Sequence, residues 1–149
     1  MVKIMENISN YIINYIRSKK GGIENSCIVE VGVGHYLNVA KTLKNYGINV
    51  TVVDIKEDVI ERAKREGLNG QLDDIFNPKL KIYKYADLIY SIRPPRDLQY
   101  QLLKLSKRYK VPLIIRPLSG EFVVDGLKLI NYGGEVLYLY EPVSITTAP

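Results

Sequence analysis

Apolar and polar positions along the chain switch between a helical period and a strand period, and each switch marks an element. Met5, Ile8, Ile12 and Tyr15 or Ile16 recur at helical spacing, which predicts an amphipathic helix over residues 3–19. Lys19 and Lys20 suit the negative end of its dipole, and Gly21-Gly22 stop it. Cys27 to Val31 is a short apolar run broken only by Glu30, and it leads directly into Gly32 and Gly34. Leu37, Ala40 and Leu43 return to helical spacing as far as Gly47, and the β-branched run from Ile48 to Val53 ends on Asp54.

The same reading continues to the C-terminus. Residues 58–66 predict a helix with Val59, Ile60 and Ala63 inward, and 68–73 a third strand despite the weak strand formers Asn69, Gly70 and Gln71. Ile75-Phe76-Asn77-Pro78 predicts a turn before a brief helical segment over 79–83. Residues 87–92 read as a buried strand, 96–109 as a helix with Pro95 at its first turn, and 111–115 as a fifth strand. Residues 127–132 and 135–140 flank Gly133-Gly134 as a hairpin does, with no crossover helix before them. This order predicts an α/β fold: a doubly wound, mostly parallel Rossmann-like sheet with helices on both faces and a C-terminal antiparallel hairpin. It predicts a single domain over 1–149 with a disordered tail from about 142.

At 149 residues the chain can bury a full core but leaves little room for a second, substrate-binding domain. No apolar run reaches the roughly 20 residues that span a bilayer, and no signal-like segment follows Met1, so no membrane partner and a cytoplasmic location are expected. The single cysteine, Cys27, excludes an intrachain disulfide and reads as an inert core thiol. A net charge of +5 favours anionic partners. The basic residues are spread over 17–20, 62–65, 79–84 and 104–110 beside helices, as solvated faces are, so nucleic acid stays open as a partner without being indicated. A homo-oligomer is equally open.

In folds of this type ligands sit beyond the carboxyl ends of the strands. The unusual residues collect there: Glu30 to Tyr36, Asp54, Asp73-Asp74, Ser91 to Pro95 and Arg116 to Gly120. Gly32 and Gly34 allow close backbone approach at a helix N-terminus, and Asp54, roughly 20 positions on, can accept both hydroxyls of a ribose. His35, the only histidine, stands inside this loop, where contact with a ligand or solvent is expected; without Cys or His partners it makes no zinc site. Ser119-Gly120 lacks the context of a nucleophile elbow, and no Walker loop occurs.

Glu30-x-Gly32-x-Gly34 resembles the first motif of class I S-adenosylmethionine-dependent methyltransferases, an acidic residue followed by x-Gly-x-Gly-x-Gly. The resemblance implies S-adenosylmethionine as cofactor, with Glu30 near its methionine end, Asp54 on the ribose and Asp74, or Asp73, on the adenine amino group. The whole pattern, including DDIFNP and ADLIYSIRPP, also resembles a small archaeal family described as uncharacterised; that likeness spans nearly the whole chain and implies a fold without an activity. The chain departs from the methyltransferase motif in two places. Tyr36 replaces the third glycine, and Arg93 replaces the Asn or Asp that precedes Pro-Pro in amino-methylating members. Arginine stays charged and cannot deprotonate an amine.

Ile92-Arg93-Pro94 and Ile115-Arg116-Pro117 repeat one tripeptide at the ends of two strands expected to be neighbours. Their arginines either clamp an anionic substrate or pair with nearby acids such as Asp73, Asp74 or Glu121. Three functional readings follow: an S-adenosylmethionine-binding domain that methylates a small or anionic acceptor, an NAD-binding regulatory module, or a non-catalytic scaffold. Leu37 stands where a dinucleotide fingerprint has its third glycine.

Overall fold

A computed structural model describes residues 5–118 and 120–142, so the expected tail beyond Pro142, residues 3–4 of the first expected helix, and Ser119 lie outside the described residues. The elements follow in the order α1 (Asn7–Lys20), β1 (Cys27–Val31), α2 (Asn38–Asn45), β2 (Asn49–Asp54), α3 (Glu57–Arg65), β3 (Asn69–Leu72), a 3-10 turn (Ile82–Tyr85), β4 (Leu88–Ile92), α4 (Arg96–Tyr109), β5 (Leu113–Arg116), β6 (Lys128–Tyr132) and β7 (Glu135–Tyr140). They build one seven-stranded sheet in the order β3-β2-β1-β4-β5-β7-β6. The first five strands are parallel, and β7 runs antiparallel to both β5 and β6.

Strand alternation divides the core into two layers. Ile28 of β1 faces the cluster built by Ile8, Ile12 and Ile16 of α1, Val39 and Leu43 of α2, and Val59 and Ala63 of α3. Val29 and Val31 face the other cluster, where Leu102, Leu103 and Leu105 of α4 pack with Tyr83 of the 3-10 turn. The sheet is therefore covered by three helices on one face and by one helix and a short turn on the other.

Several local choices explain why weak sequence signals still form elements. Gly70 stands in β3 because α3 crosses it closely: a Cβ there would lie 3.1 Å from Ile60 Cγ2 and 3.2 Å from the Ile60 carbonyl. Gly47 takes φ +93° and returns its N–H to the Lys44 carbonyl at 2.9 Å, ending α2. Gly133 and Gly134 both have positive φ, as a two-residue hairpin turn demands. That turn receives the start of α1, where Asn7 Nδ2 donates to the Gly133 carbonyl at 3.3 Å.

No helix stands between β5 and β6 among the described residues; the connecting loop is held by a buried glutamine instead. Gln99 of α4 donates from Nε2 to the carbonyls of Phe122 (2.9 Å) and Pro94 (3.2 Å), while its Oε1 accepts from Val124 N at 3.1 Å. One side chain thereby sets both the β4–α4 corner and the loop after β5, which are two walls of the site described next.

Candidate functional site

Two cavities open side by side at the carboxyl ends of the parallel strands, and Arg93 lines both. The smaller, about 390 Å³, lies over β1, β2 and β3 and is bordered by Gly32, Asp54, Ile55, Asp74, Phe76 and Leu98. The larger, about 700 Å³, lies over β4 and β5 and reaches the β6–β7 turn.

The glycine loop is set by its backbone. Gly32 has φ +69° and Gly34 φ +56°, and Gly32 N–H donates to the Val53 carbonyl at 2.8 Å. A Cβ on Gly32 would approach Leu98 Cδ2 to 3.2 Å, so a side chain there would press on the helix behind the cleft. Gly34 has open space around it, but its N–H is already engaged, donating to Asp54 Oδ2 at 3.0 Å. Asp54 Oδ1 accepts Lys56 N–H at 2.9 Å. Each oxygen keeps a second lone pair, so the carboxylate is oriented at the cleft wall without being exhausted as an acceptor.

The adjacent acids after β3 take different roles. Asp73 is nearly buried and accepts from Lys79 N, Leu80 N and the Tyr83 hydroxyl, the last at 2.6 Å. It shapes the loop between β3 and the 3-10 turn. Among the described residues the Asp74 carboxylate accepts only the Phe76 N–H, at 2.9 Å on Oδ1, which leaves it acceptor capacity towards the cleft. Ile55 and Phe76, at 62% and 52% exposure, present large apolar surfaces on the same cleft.

Glu30 and His35 line neither cavity. The alternation of β1 puts Glu30 on the face shared with Ile28, directly opposite Tyr90 of β4 in the strand register, and the Tyr90 hydroxyl donates to Glu30 Oε1 at 2.6 Å. Burial pushes the Glu30 carboxyl up to about 8, with the Tyr90 hydrogen bond opposing the rise. His35 is exposed on the outer side of the loop, where its carbonyl accepts from Arg62 Nη1 at 3.3 Å. Cys27 is half-buried at the opposite end of β1, its amide donating to Asp87 Oδ2, and burial raises its thiol.

The two arginines are neighbours, as the repeated tripeptide implied. Ile92 pairs with Arg116 across β4 and β5, and Arg93 N–H donates to the Arg116 carbonyl at 2.7 Å. Their side chains differ. Arg116 pairs with Glu6 Oε2 at 2.9 Å and lies 3.6 Å from Glu135 Oε1, so its partners are acids from the chain's beginning and from the hairpin turn rather than Asp73, Asp74 or Glu121. Arg93, held at φ +56°, forms no ion pair among the described residues.

Tyr36 turns towards the larger cavity. Its hydroxyl donates to Glu6 Oε1, and its ring lies 5.8 Å from each of the Arg93 and Arg116 guanidinium carbons. Burial pushes the Glu6 carboxyl up, but hydrogen bonds from Tyr36 and Arg116 outweigh it and hold the group below the usual range. Burial and the Glu6 contact together raise the Tyr36 phenol, which stays neutral and donating. Glu6 and Glu135 are site residues that sequence reasoning did not select; Glu6 precedes a helix and Glu135 follows a Gly-Gly turn, positions at which an exposed acid is unremarkable.

Among the described residues no group of three His, Cys, Asp or Glu side chains could hold a metal ion, and no helix is long and apolar enough to cross a membrane.

This strand order, with a glycine loop after β1 and acids after β2 and β3, is the fold of the class I S-adenosylmethionine-dependent methyltransferases. The crystal structure of an RNA methyltransferase from Salinibacter ruber in complex with S-adenosyl-L-homocysteine matches it with a TM-score of 0.62 at 13% identity, covering 99% of this chain and 98% of that one. At that identity the likeness is one of fold. The chain belongs to the archaeal family described as Uncharacterised protein family (UPF0146), whose model matches residues 7–142. It is 54% identical to a UPF0146 protein of Pyrococcus furiosus over 77% of this chain and 87% of that protein, and 51% identical to one of Methanocaldococcus jannaschii over 83% and 90%.

Proposed function

We propose that the smaller cleft binds S-adenosylmethionine and that the larger cavity receives the methyl acceptor. The observation that carries this reading is the pairing of polar and apolar groups around the smaller cleft. Asp54 and Asp74 offer free acceptor capacity at its rim, and the exposed Ile55 and Phe76 lie beside them. A nucleoside meets both needs, because its hydroxyls and amino group donate while its base gains by covering apolar surface. At about 390 Å³ the cleft lies in the range of small-ligand sites.

Asp54 is then the ribose acceptor, Asp74 the adenine acceptor, and Gly32 the position that keeps the cleft floor bare. When bound, this cofactor supplies an electrophilic methyl group on a sulfonium. The chain's own contribution is to hold the acceptor in the adjoining cavity, since Arg93 stands on the boundary between the two sites. An NAD reading is disfavoured by the loop itself: the Gly34 amide that a pyrophosphate would use is committed to the Asp54 carboxylate, whose charge repels phosphate.

Titration with S-adenosylhomocysteine tests this. The intact chain is expected to bind it, Asp54→Ala and Asp74→Ala to bind at least tenfold more weakly, and His35→Ala to bind equally well. Equal affinity in the wild type and Asp54→Ala would remove the basis for the reading.

A further inference from the structure

The larger cavity holds more charge than its two arginines. Glu6, Glu121 and Glu135 line it together with Arg93 and Arg116, three carboxylates against two guanidiniums. A purely anionic ligand would therefore meet a site whose formal balance is already negative. Three of the five groups lack a hydrogen-bonded partner among the described residues: Glu121 and Arg93, both exposed, and Glu135. Arg116 Nη1 is committed to Glu6 at 2.9 Å, so Glu135 Oε1, at 3.6 Å, lies beyond hydrogen-bond reach of it. That oxygen is buried and has no donor among the described residues. The Glu135 side chain as a whole is 31% exposed, so its carboxylate still presents charge to the cavity that it lines. Arg93 is the complementary case, a cation without an acid partner among the described residues. Tyr36 cannot supply the donor that Glu135 lacks, because its one hydroxyl proton is given to Glu6. Leu129 and Val136, both partly exposed, supply an apolar stretch of the same wall.

We propose that the larger cavity takes a zwitterionic small molecule: an anionic group, phosphate or carboxylate, is held by Arg93, an ammonium pairs with the exposed part of the Glu135 carboxylate, and a short methylene chain between them lies on Leu129 and Val136. This names the acceptor class for the site assigned above and rests on that reading only in calling the molecule an acceptor. The anion alone is repelled by three carboxylates, and the amine alone leaves Arg93 unpaired. The ligand that carries both ends satisfies both.

Calorimetric titration of the full chain, with and without saturating S-adenosylhomocysteine, tests the proposal. The probes are inorganic phosphate, ethanolamine, ω-aminoalkyl phosphates of two to four methylenes, and ω-amino acids of the same lengths, the last two series separating phosphate from carboxylate recognition. At least one zwitterion is expected to bind ten times more tightly than either phosphate or ethanolamine, a preference of about 1.4 kcal/mol. Glu135→Gln should abolish that preference without weakening phosphate binding, since it removes one of the three repelling carboxylates. Arg93→Asn, chosen because Asn tolerates a positive φ, should weaken zwitterion and phosphate alike, and circular dichroism checks that both variants fold. Zwitterions that bind no better than phosphate at every length, no binding by any probe, or a preference that survives Glu135→Gln, each overturn the proposal. S-adenosylhomocysteine binding without zwitterion binding removes only the acceptor class; the reverse outcome leaves this site standing and removes the cofactor reading.

Discussion

Asp54 and Gly34 are joined by a hydrogen bond in which the carboxylate Oδ2 accepts the loop amide at 3.0 Å. The residue expected to face a ribose is therefore also the residue that fastens the glycine loop, with Lys56 N–H on its other oxygen. Removing it should do two things at once. Asp54→Ala is expected to lower stability by about 1–3 kcal/mol, as loss of an ionised acceptor of two amides does, and to weaken S-adenosylhomocysteine binding. Asp54→Asn, which retains one oxygen, should recover part of the stability. Urea unfolding alongside calorimetry separates the two effects.

Tyr36 is expected to be irrelevant to cofactor access. It stands where the methyltransferase motif has its third glycine, yet its ring and hydroxyl belong to the Glu6 and Arg116 cluster and line the larger cavity. Tyr36→Gly should therefore leave S-adenosylhomocysteine affinity within about threefold of wild type, a difference under 1 kcal/mol. It should also destabilise the fold, since it frees Glu6 and exposes the backbone. A marked gain in affinity would mean that the phenol obstructs the cleft.

Glu30 predicts a pH signature. Its carboxyl, ordinarily near 4.5, is raised to about 8 by burial, so the folded chain holds a proton that the unfolded chain releases. Stability from this group is complete below about pH 4.5, declines as pH rises, and is lost by about pH 8. Glu30→Gln should flatten that decline, matching wild type at pH 4 and exceeding it by up to about 4 kcal/mol at pH 8, as followed by thermal melts across the range. Because Glu30 lines neither cavity, the same variant should bind S-adenosylhomocysteine normally.

The glycines of the loop are not equivalent. Gly32→Ala introduces a Cβ 3.2 Å from Leu98 Cδ2 at φ +69°, whereas Gly34→Ala adds one into open space at φ +56°. Both carry the left-handed backbone cost of about 1–2 kcal/mol. Only the first adds a packing conflict, so denaturant midpoints should rank Gly32→Ala below Gly34→Ala.

How much of this was legible in the sequence follows from the range over which each signal acts. Helix α4 begins and ends at the residues its periodicity marked, Arg96 and Tyr109, because an apolar stripe and a proline at its start are local information. The hairpin was equally plain from Gly133-Gly134. β3 was faint because Gly70 answers to α3 rather than to strand propensity. The brief helical segment expected over 79–83 forms instead as a 3-10 turn at Ile82–Tyr85, after Asp73 has capped the amides of Lys79 and Leu80. The first helix starts at Asn7, which leaves Glu6 outside it and able to reach Tyr36 and Arg116. That contact spans 110 positions of sequence, and nothing near Glu6 announces it. The adjacency of Arg93 and Arg116 was readable from the repeated tripeptide; the identity of Arg116's partners was not, because it depends on where α1 and the hairpin turn meet.

The cleft bordered by Asp54, Asp74, Ile55 and Phe76 is proposed as a nucleoside-cofactor site of the methyltransferase kind. Calorimetric titration of the wild-type chain with S-adenosylhomocysteine, NAD and ATP in parallel tests it most directly. Saturable binding of S-adenosylhomocysteine alone, lost in Asp54→Ala, is the predicted result; preferential binding of NAD, or binding of none of the three, contradicts it.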